Sequence, residues 1–261
     1  MLSTVLAAAR VARADLKVIY TPMTWTFGWL GRILAQVIFF AVIGVLLEDP
    51  DALVYLFVGQ AVMVAVVEVF MSLASTTWER GAGTLPLLIA APGPLWPVFF
   101  GRSLQWIPSG VATSCVALFA LGPILGIFWE PGLALLAVPV LLVTVVSMYA
   151  MALALAAVVL RAPRWRNVTS NIAHILVMLL CGVTVPAPIW PHWIQMVGQL
   201  IPLTHGLEII RGLQASYLGW DLGTAAVLLV GTGLLWALGA AAAFTLFGEA
   251  GRRDGSISFA D

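Results

Sequence analysis

The sequence predicts an all-α integral membrane protein with six transmembrane helices, and three observations carry that prediction. Of its 261 residues, 62% are hydrophobic and only 9% charged, with a mean hydropathy of +1.05, whereas a soluble domain carries charge on about a quarter of its residues. The apolar residues gather in runs of about 20, the length that crosses a bilayer as a helix. Lys and Arg fall almost wholly between alternate runs, the charge asymmetry of a multi-pass protein.

The six runs are Gly28 to Leu47, Ala52 to Ala74, Ser103 to Phe128, Leu133 to Leu160, Ser170 to Val185 and Leu222 to Gly248, the fifth being the shortest. Ahead of them, MLSTVLAAARVARADLKVIY does not read as a secretory leader, because Arg10, Arg13, Asp15 and Lys17 interrupt its apolar core. Val5, Ala9, Ala12, Leu16 and Ile19 recur there at helical spacing, with Arg10, Arg13 and Lys17 on the flank. Residues 1–22 are therefore expected to form an amphipathic interfacial helix, apolar face toward lipid and cations toward its phosphates. Residues 23–251 read as the transmembrane domain and 252–261 as a cytoplasmic tail. No internal repeat is evident.

With a cytoplasmic N-terminus, the inner segments hold Arg10, Arg13, Lys17, Arg80, Arg102, Arg161, Arg164, Arg166, Arg252 and Arg253, and the outer segments only Arg211. The outer loops Glu48–Asp51 and Trp129–Gly132 carry acids and no cation. Both termini are thus expected on the cytoplasmic side. Eleven Arg to one Lys, with abundant Ala, is a composition associated with bacterial inner-membrane proteins of high-GC organisms.

Between runs two and three lies WERGAGTLPLLIAAPGPLWP, Trp78 to Pro97. It offers Glu79 and Arg80, a Gly81/Gly83 hinge, Thr84 as an N-cap and Pro86 in the first helical turn. Leu85, Leu88 and Ile89 then share one side of a short cytoplasmic helix that the Pro92-Gly93-Pro94 break ends. A helix with an apolar side and a charged approach suits docking into a groove on a partner protein; an interfacial loop steadied by Trp78 and Trp96 is the alternative. After run five, Pro186, Pro188, Pro191 and Pro202 break PAPIWPHWIQMVGQLIPLTHGLEIIRGL. This predicts an extracellular re-entrant hairpin over about 186–211. His205, Glu208 and Arg211 are placed on one face of a short helix there, with Glu208 and Arg211 able to pair at i, i+3.

Charge at bilayer depth is costly and usually paired. Arg32 lies about 6 Å inside the start of run one, and Glu68 about 9 Å from the cytoplasmic end of run two, at the helical rise. The matching depths predict an intramembrane Arg32–Glu68 ion pair; a proton relay through Glu68 is the rival, and no second intramembrane acid accompanies it. His205 and Glu208 stand one turn apart, but without an HExxH pattern, a second His or a Cys cluster no metal is assigned. His174 and His192 are lone residues. Cys115 and Cys181 both lie in apolar runs and read as small core residues rather than a disulfide. Lys17, the only lysine, has no glycine before it, so the chain lacks the G-x-x-x-x-G-K-[ST] loop that holds ATP. An intramembrane enzyme would need paired acids, a Ser-His pair or a metal set at one depth, and none is visible.

The run E-R-x-x-G-T-L-x-x-L-x-x-x-P, formed by Glu79, Arg80, Gly83, Thr84, Leu85, Leu88 and Pro92, resembles the signature of ABC-2 type transporter permeases. So does Pro202-Leu203-Thr204-His205 followed by Glu208 and Arg211 after a Pro-rich hairpin. The six-span layout, the N-terminal helix and the length agree. One departure is Pro86, where the family commonly carries Glu. The resemblance implies a permease subunit of a bacterial exporter, paired with a second permease copy, as homodimer or heterodimer, and with two nucleotide-binding ATPase subunits. Those subunits would hold the ATP and Mg, none being bound by this chain, and would dock on a coupling helix at about 79–95. The hairpin, with Pro186, Pro188, Trp190, Pro202, His205, Glu208 and Arg211, would form the extracellular gate, Glu208/Arg211 acting as a polar latch.

For cargo, Trp25, Trp29, Phe39, Phe40, Met63, Phe70, Met71 and Met178 offer a soft aromatic surface suited to an amphiphilic or apolar molecule. A hydrophobic drug or antibiotic is the favoured substrate, with lipid or lipid-linked polysaccharide as the alternative. From another class, an ion-coupled secondary transporter would need a coupling site and commonly repeat symmetry, and the buried ionisable set here is thin.

Overall fold

The computed structural model describes residues 2–19, 21–81, 83–90, 93–161 and 165–254, and their regular structure is helical throughout. Helix α1 (Leu2–Ile19) precedes a π-helical turn, Thr24–Leu30, which runs directly into α2 (Gly31–Leu46). Next come α3 (Pro50–Gly81), the short α4 (Leu85–Ala90), α5 (Trp96–Ser103) and α6 (Trp106–Cys115), the last continuing as a π segment, Val116–Leu121. The rest comprises α7 (Pro131–Arg161), α8 (Arg166–Leu180), α9 (His192–Gly198), α10 (Pro202–Gln214) and α11 (Trp220–Asp254). Helix α11 thus carries the backbone into the predicted tail, whose residues 255–261 lie outside the described residues.

Five stretches are long and apolar enough to cross a membrane: Thr24–Leu46, Pro50–Leu73, Trp96–Ile124, Pro131–Val159 and Trp220–Phe247, of 23 to 29 residues. At 1.5 Å per residue these reach ~35 to 44 Å, against a hydrocarbon core of ~30 Å. The fifth predicted span, Ser170 to Val185, falls on α8, whose apolar part, Asn167–Leu180, is shorter than the others. The described residues therefore hold five membrane-length helices, not six. Helix α8 stops because Gly182 turns to φ +73° just beyond the C-cap Cys181, a left-handed exit that glycine adopts without steric cost.

Helix α3 is the hub, with α2, α6 and α7 against it and α5, α8 and α10 touching it. Phe57, Val58, Ala61, Val62, Val66, Val69 and Leu73 are buried along it. Lipid is as apolar as leucine, so helices in a bilayer gain by close approach rather than by leaving water. Small residues provide that approach. A Cβ on Gly206 of α10 would lie 2.5 Å from Thr144 Cγ2 of α7, and one on Gly233 of α11 2.8 Å from Ser147 Cβ of α7. Tyr149 of α7 donates to the Phe100 carbonyl at 2.6 Å and bonds Ser103 Oγ at 2.8 Å, fixing α5 on α7.

Helix α1 packs on α5, which corrects part of the expectation for it. Ala8 and Ala12 are buried, whereas Leu6 and Val11 are exposed. The side chains of Leu16 and Ile19 lie outside the described residues. A Cβ on Gly101 would stand 2.5 Å from the Val5 carbonyl oxygen and 2.7 Å from Ala8 Cβ, and Arg102 Nη1 donates to Asp15 Oδ2 at 2.7 Å. A stripe rich in alanine fits a helix–helix seam as well as a lipid surface, and glycine opposite it decides for the seam. Gly101→Leu is expected to detach α1, seen as protease cleavage within residues 2–19 while α3 and α7 stay protected; unchanged cleavage would mean that something else holds α1.

Candidate functional site

Three arrangements of functional residues lie along α3: near its start, at its middle and just past its end. In the middle is Glu68, fully buried, ~20 Å along the helix from both Tyr55 and Gly81. Its carboxyl group accepts from Trp29 Nε1, from Ser109 Oγ at 3.2 Å and from Thr113 Oγ1 at 3.2 Å. Ser109 and Thr113 are one turn apart on α6 and so face the same neighbour. Gly110 between them admits α3, since a Cβ there would be 3.2 Å from Glu68 Cβ. Arg32 does not form the expected salt bridge with Glu68. Its guanidinium sits over the Trp29 ring, 5.0 Å from the centroid, while that indole donates its N–H to Glu68. The indole bridges the two charges, and Arg32 itself is exposed. The π-helical turn brings Trp29 between the two charges, a placement that residue spacing alone does not reveal.

Near the start of α3, Arg211 of α10 reaches across to Tyr55. Its guanidinium carbon lies 3.6 Å from the Tyr55 ring centroid, and Nη2 donates to the Tyr55 carbonyl at 3.1 Å and the Val183 carbonyl at 3.4 Å. Tyr55 Oη donates to the Gly182 carbonyl at 2.6 Å. Gly59 makes the space: a Cβ there would overlap the Val183 carbonyl oxygen and come within 2.8 Å of Arg211 Nη2. A positive charge over an aromatic face is worth up to about 2 kcal/mol when desolvated. The expected Glu208–Arg211 latch is not formed, since Glu208 is exposed and Arg211 turns to Tyr55.

The remaining hairpin residues knit the segment to itself. Pro186 precedes a 3₁₀ turn containing Pro188, both exposed, and Trp190 Nε1 donates to the Leu179 carbonyl at 3.2 Å. Pro202 is the buried first residue of α10. His205 is buried, with Nε2 2.9 Å from the Gln199 carbonyl, and Thr204 Oγ1 donates to the Gly198 carbonyl at 2.6 Å. Trp236 Nε1 of α11 donates to the Leu200 carbonyl at 2.9 Å, which secures the α9–α10 corner. No three His, Cys, Asp or Glu residues converge among the described residues.

Beyond the end of α3, the Trp78 to Pro97 stretch divides differently from the reading of its sequence. Glu79 and Arg80 continue the α3 backbone to Gly81. Gly83 turns at φ +69°, a conformation that side chains resist. The Leu88 amide bonds the Thr84 carbonyl at 3.1 Å, opening α4. Leu85 is buried in the main core and Leu88 packs against it, while Leu87 is 71% exposed. The two leucines expected to meet a partner instead anchor the helix, and Leu87 is the apolar side chain presented outward. Pro92 and Ala91 lie outside the described residues, and the Ile89 side chain is not described.

The aromatic and methionine surface is likewise divided. Met63 and Phe70 are buried in the chain's own core, Phe39 is 62% exposed, and Trp25, Phe40, Met71 and Met178 are half-buried. Trp29 is committed to Glu68 and Arg32.

Five membrane-length helices, with α3 buried among them, define a multi-pass α-helical membrane protein. The family model described as ABC-2 type transporter matches residues 18–215, from the end of α1 through α10. The chain belongs to the ABC-2 type transporter family, and as its membrane domain it is a permease component. A comparison with curated proteins finds no match.

Proposed function

We propose that this permease is the transmembrane subunit of an ATP-driven exporter that moves a hydrophobic or amphiphilic drug- or antibiotic-like molecule outward across a bacterial cytoplasmic membrane. Two copies of a separate ATPase subunit hydrolyse ATP with Mg, and a second permease copy completes the pathway. Both termini face the cytoplasm, α8 serves as a short sixth span, and α9 and α10 dip into the membrane from outside as the gate. Membership of the family supports ATP-driven transport over an ion-coupled secondary transporter.

The observation that carries this reading is α4: a short helix hung on Gly83, pinned by buried Leu85 and half-buried Leu88, and presenting Leu87. A partner pushing on Leu87 pushes on a helix fastened to α3 and α11, both of which it touches. Force applied there enters the bundle without first being absorbed by a loose loop.

The test is reconstitution with the co-purifying ATPase. Leu87→Asp, exposed and therefore tolerated by the fold, is expected to cut cargo-stimulated ATP turnover at least about tenfold, the loss of one buried apolar contact plus a misplaced charge. Leu85→Asp is expected to unfold the protein instead, since a lone charge would enter the core. Full coupling in Leu87→Asp would remove α4 as the docking element. Parallel assays with an apolar dye and a lipid-linked glycan separate the proposed cargo from its alternative.

A further inference from the structure

We infer that Arg32 holds the phosphate of one phospholipid near the start of the first span, where Gly28 leaves room for the headgroup. This needs only that the chain lies in a membrane, and it stands apart from the choice of cargo. Arg32 is exposed, and its guanidinium rests on one face against the Trp29 ring, 5.0 Å from the centroid. Among the described residues no acceptor takes any of its five N–H donors. Glu68, wholly buried behind the indole, already accepts from Trp29, Ser109 and Thr113, and it gives Arg32 charge attraction without a hydrogen bond. A guanidinium left in that state at the edge of hydrocarbon is costly, and long cationic side chains escape the cost by reaching for the headgroups or a counter-ion.

Direction, space and charge identify the occupant. Side chains on a helix lean toward its N-terminus, and the contact with Trp29, a turn earlier, shows Arg32 doing so. Trp29 is the sixth residue of the span Thr24–Leu46, which puts the guanidinium ~8 Å from the first residue of that span. Gly28, one turn before Arg32, is exposed, and a Cβ there would meet nothing within 4 Å, the Arg32 side chain included. The notch beside the guanidinium is open, so a phosphate can meet the planar fork with two oxygens at once. Met23 and Phe27 nearby are exposed apolar side chains, suited to the acyl chains of the same molecule. A second copy of this chain is the competing occupant, and its spans have no acid to offer. Asp51 and Asp221 stand at the starts of the second and last spans, at the opposite end from Thr24, and Glu68 is buried.

The experiment titrates purified full-length protein in detergent with dioleoylphosphatidylglycerol or with dioleoylglycerol, which has the same chains and no phosphate, and follows the thermal unfolding midpoint. Wild type is expected to respond to the phospholipid at a concentration at least about tenfold lower, the effect of one hydrogen-bonded charge pair. Arg32→Gln is expected to lose most of that preference while unfolding close to wild type without lipid, and Arg32→Lys to keep part of it. Equal responses by wild type, or an undiminished preference in Arg32→Gln, overturn the inference. Inorganic phosphate that raised the midpoint as far as the phospholipid does would make Arg32 a site for a free anion, and would overturn it too. A photoreactive side chain at Gly28, in protein reconstituted into phosphatidylglycerol vesicles, is expected to capture phospholipid. Capture of a second copy of this chain would give the notch to a contact between permeases and sink the lipid site.

Discussion

Arg211→Ala is expected to free the hairpin from α3 and to destabilise the protein by about 3 kcal/mol. That figure combines the lost cation–π contact with Tyr55 and the loss of charged donors to two carbonyls. Gly59→Ala should approach the same effect from the other side, because its new Cβ would occupy the space of the Val183 carbonyl. Both changes break one contact, so the double variant should cost clearly less than the sum of the two singles. Unfolding in detergent measures all three, and additive losses would show that Gly59 and Arg211 act separately. Arg211→Lys sharpens the argument. An ammonium keeps the charge but loses the planar stack and the fork, and most of the stability should go with them. A lysine variant as stable as wild type would mean that charge alone holds the hairpin.

Glu68→Ala is the second large expectation, a loss of about 3 kcal/mol or more. Three donors, Trp29 Nε1, Ser109 Oγ and Thr113 Oγ1, lose their shared acceptor, and each buried group left without one costs about 1–3 kcal/mol. Thr113 retains its bond to the Ser109 carbonyl at 2.9 Å, which softens its share. Glu68→Gln keeps one acceptor oxygen but sets an amide NH₂ against the remaining donors, and should cost roughly half as much. Arg32→Gln should cost under about 1 kcal/mol, because Arg32 is exposed and touches the cluster only through the indole face. If Arg32→Gln proved as damaging as Glu68→Ala, the two charges would be coupled directly after all.

Most of the helical frame was legible because apolar run length speaks directly to bilayer thickness. The short fifth run was visible too, and Gly182 together with the prolines beyond it explains why it ends early. Helix α4 and its glycine hinge were legible, but its inward face was not. Leu85, Leu87 and Leu88 are equally apolar, and six residues are too few for periodicity to say which side meets the core. Tyr55 and Arg211 are separated by most of the chain, so no local pattern joins them. The usable signal in the sequence is Gly59, one turn from Tyr55, whereas Glu208 beside Arg211 points to a local pair instead. For α1, alanines at helical spacing suit lipid and a helix seam alike, and Gly101, far along the sequence, turns part of that stripe toward α5.

The π-helical turn at Thr24–Leu30 carries a further consequence. Wider winding places one more residue between bonded partners than an α-helix does, so it acts as a phase step in an otherwise continuous rod. Positions before the step are out of phase with those after it, and the two parts of the first span can address different neighbours without a break between them. Trp29 lies inside the step and faces Glu68, while Ile33, Val37 and Ala41 beyond it are buried toward the bundle. Losing a single residue there would leave a sound helix with its indole turned about 100° off target.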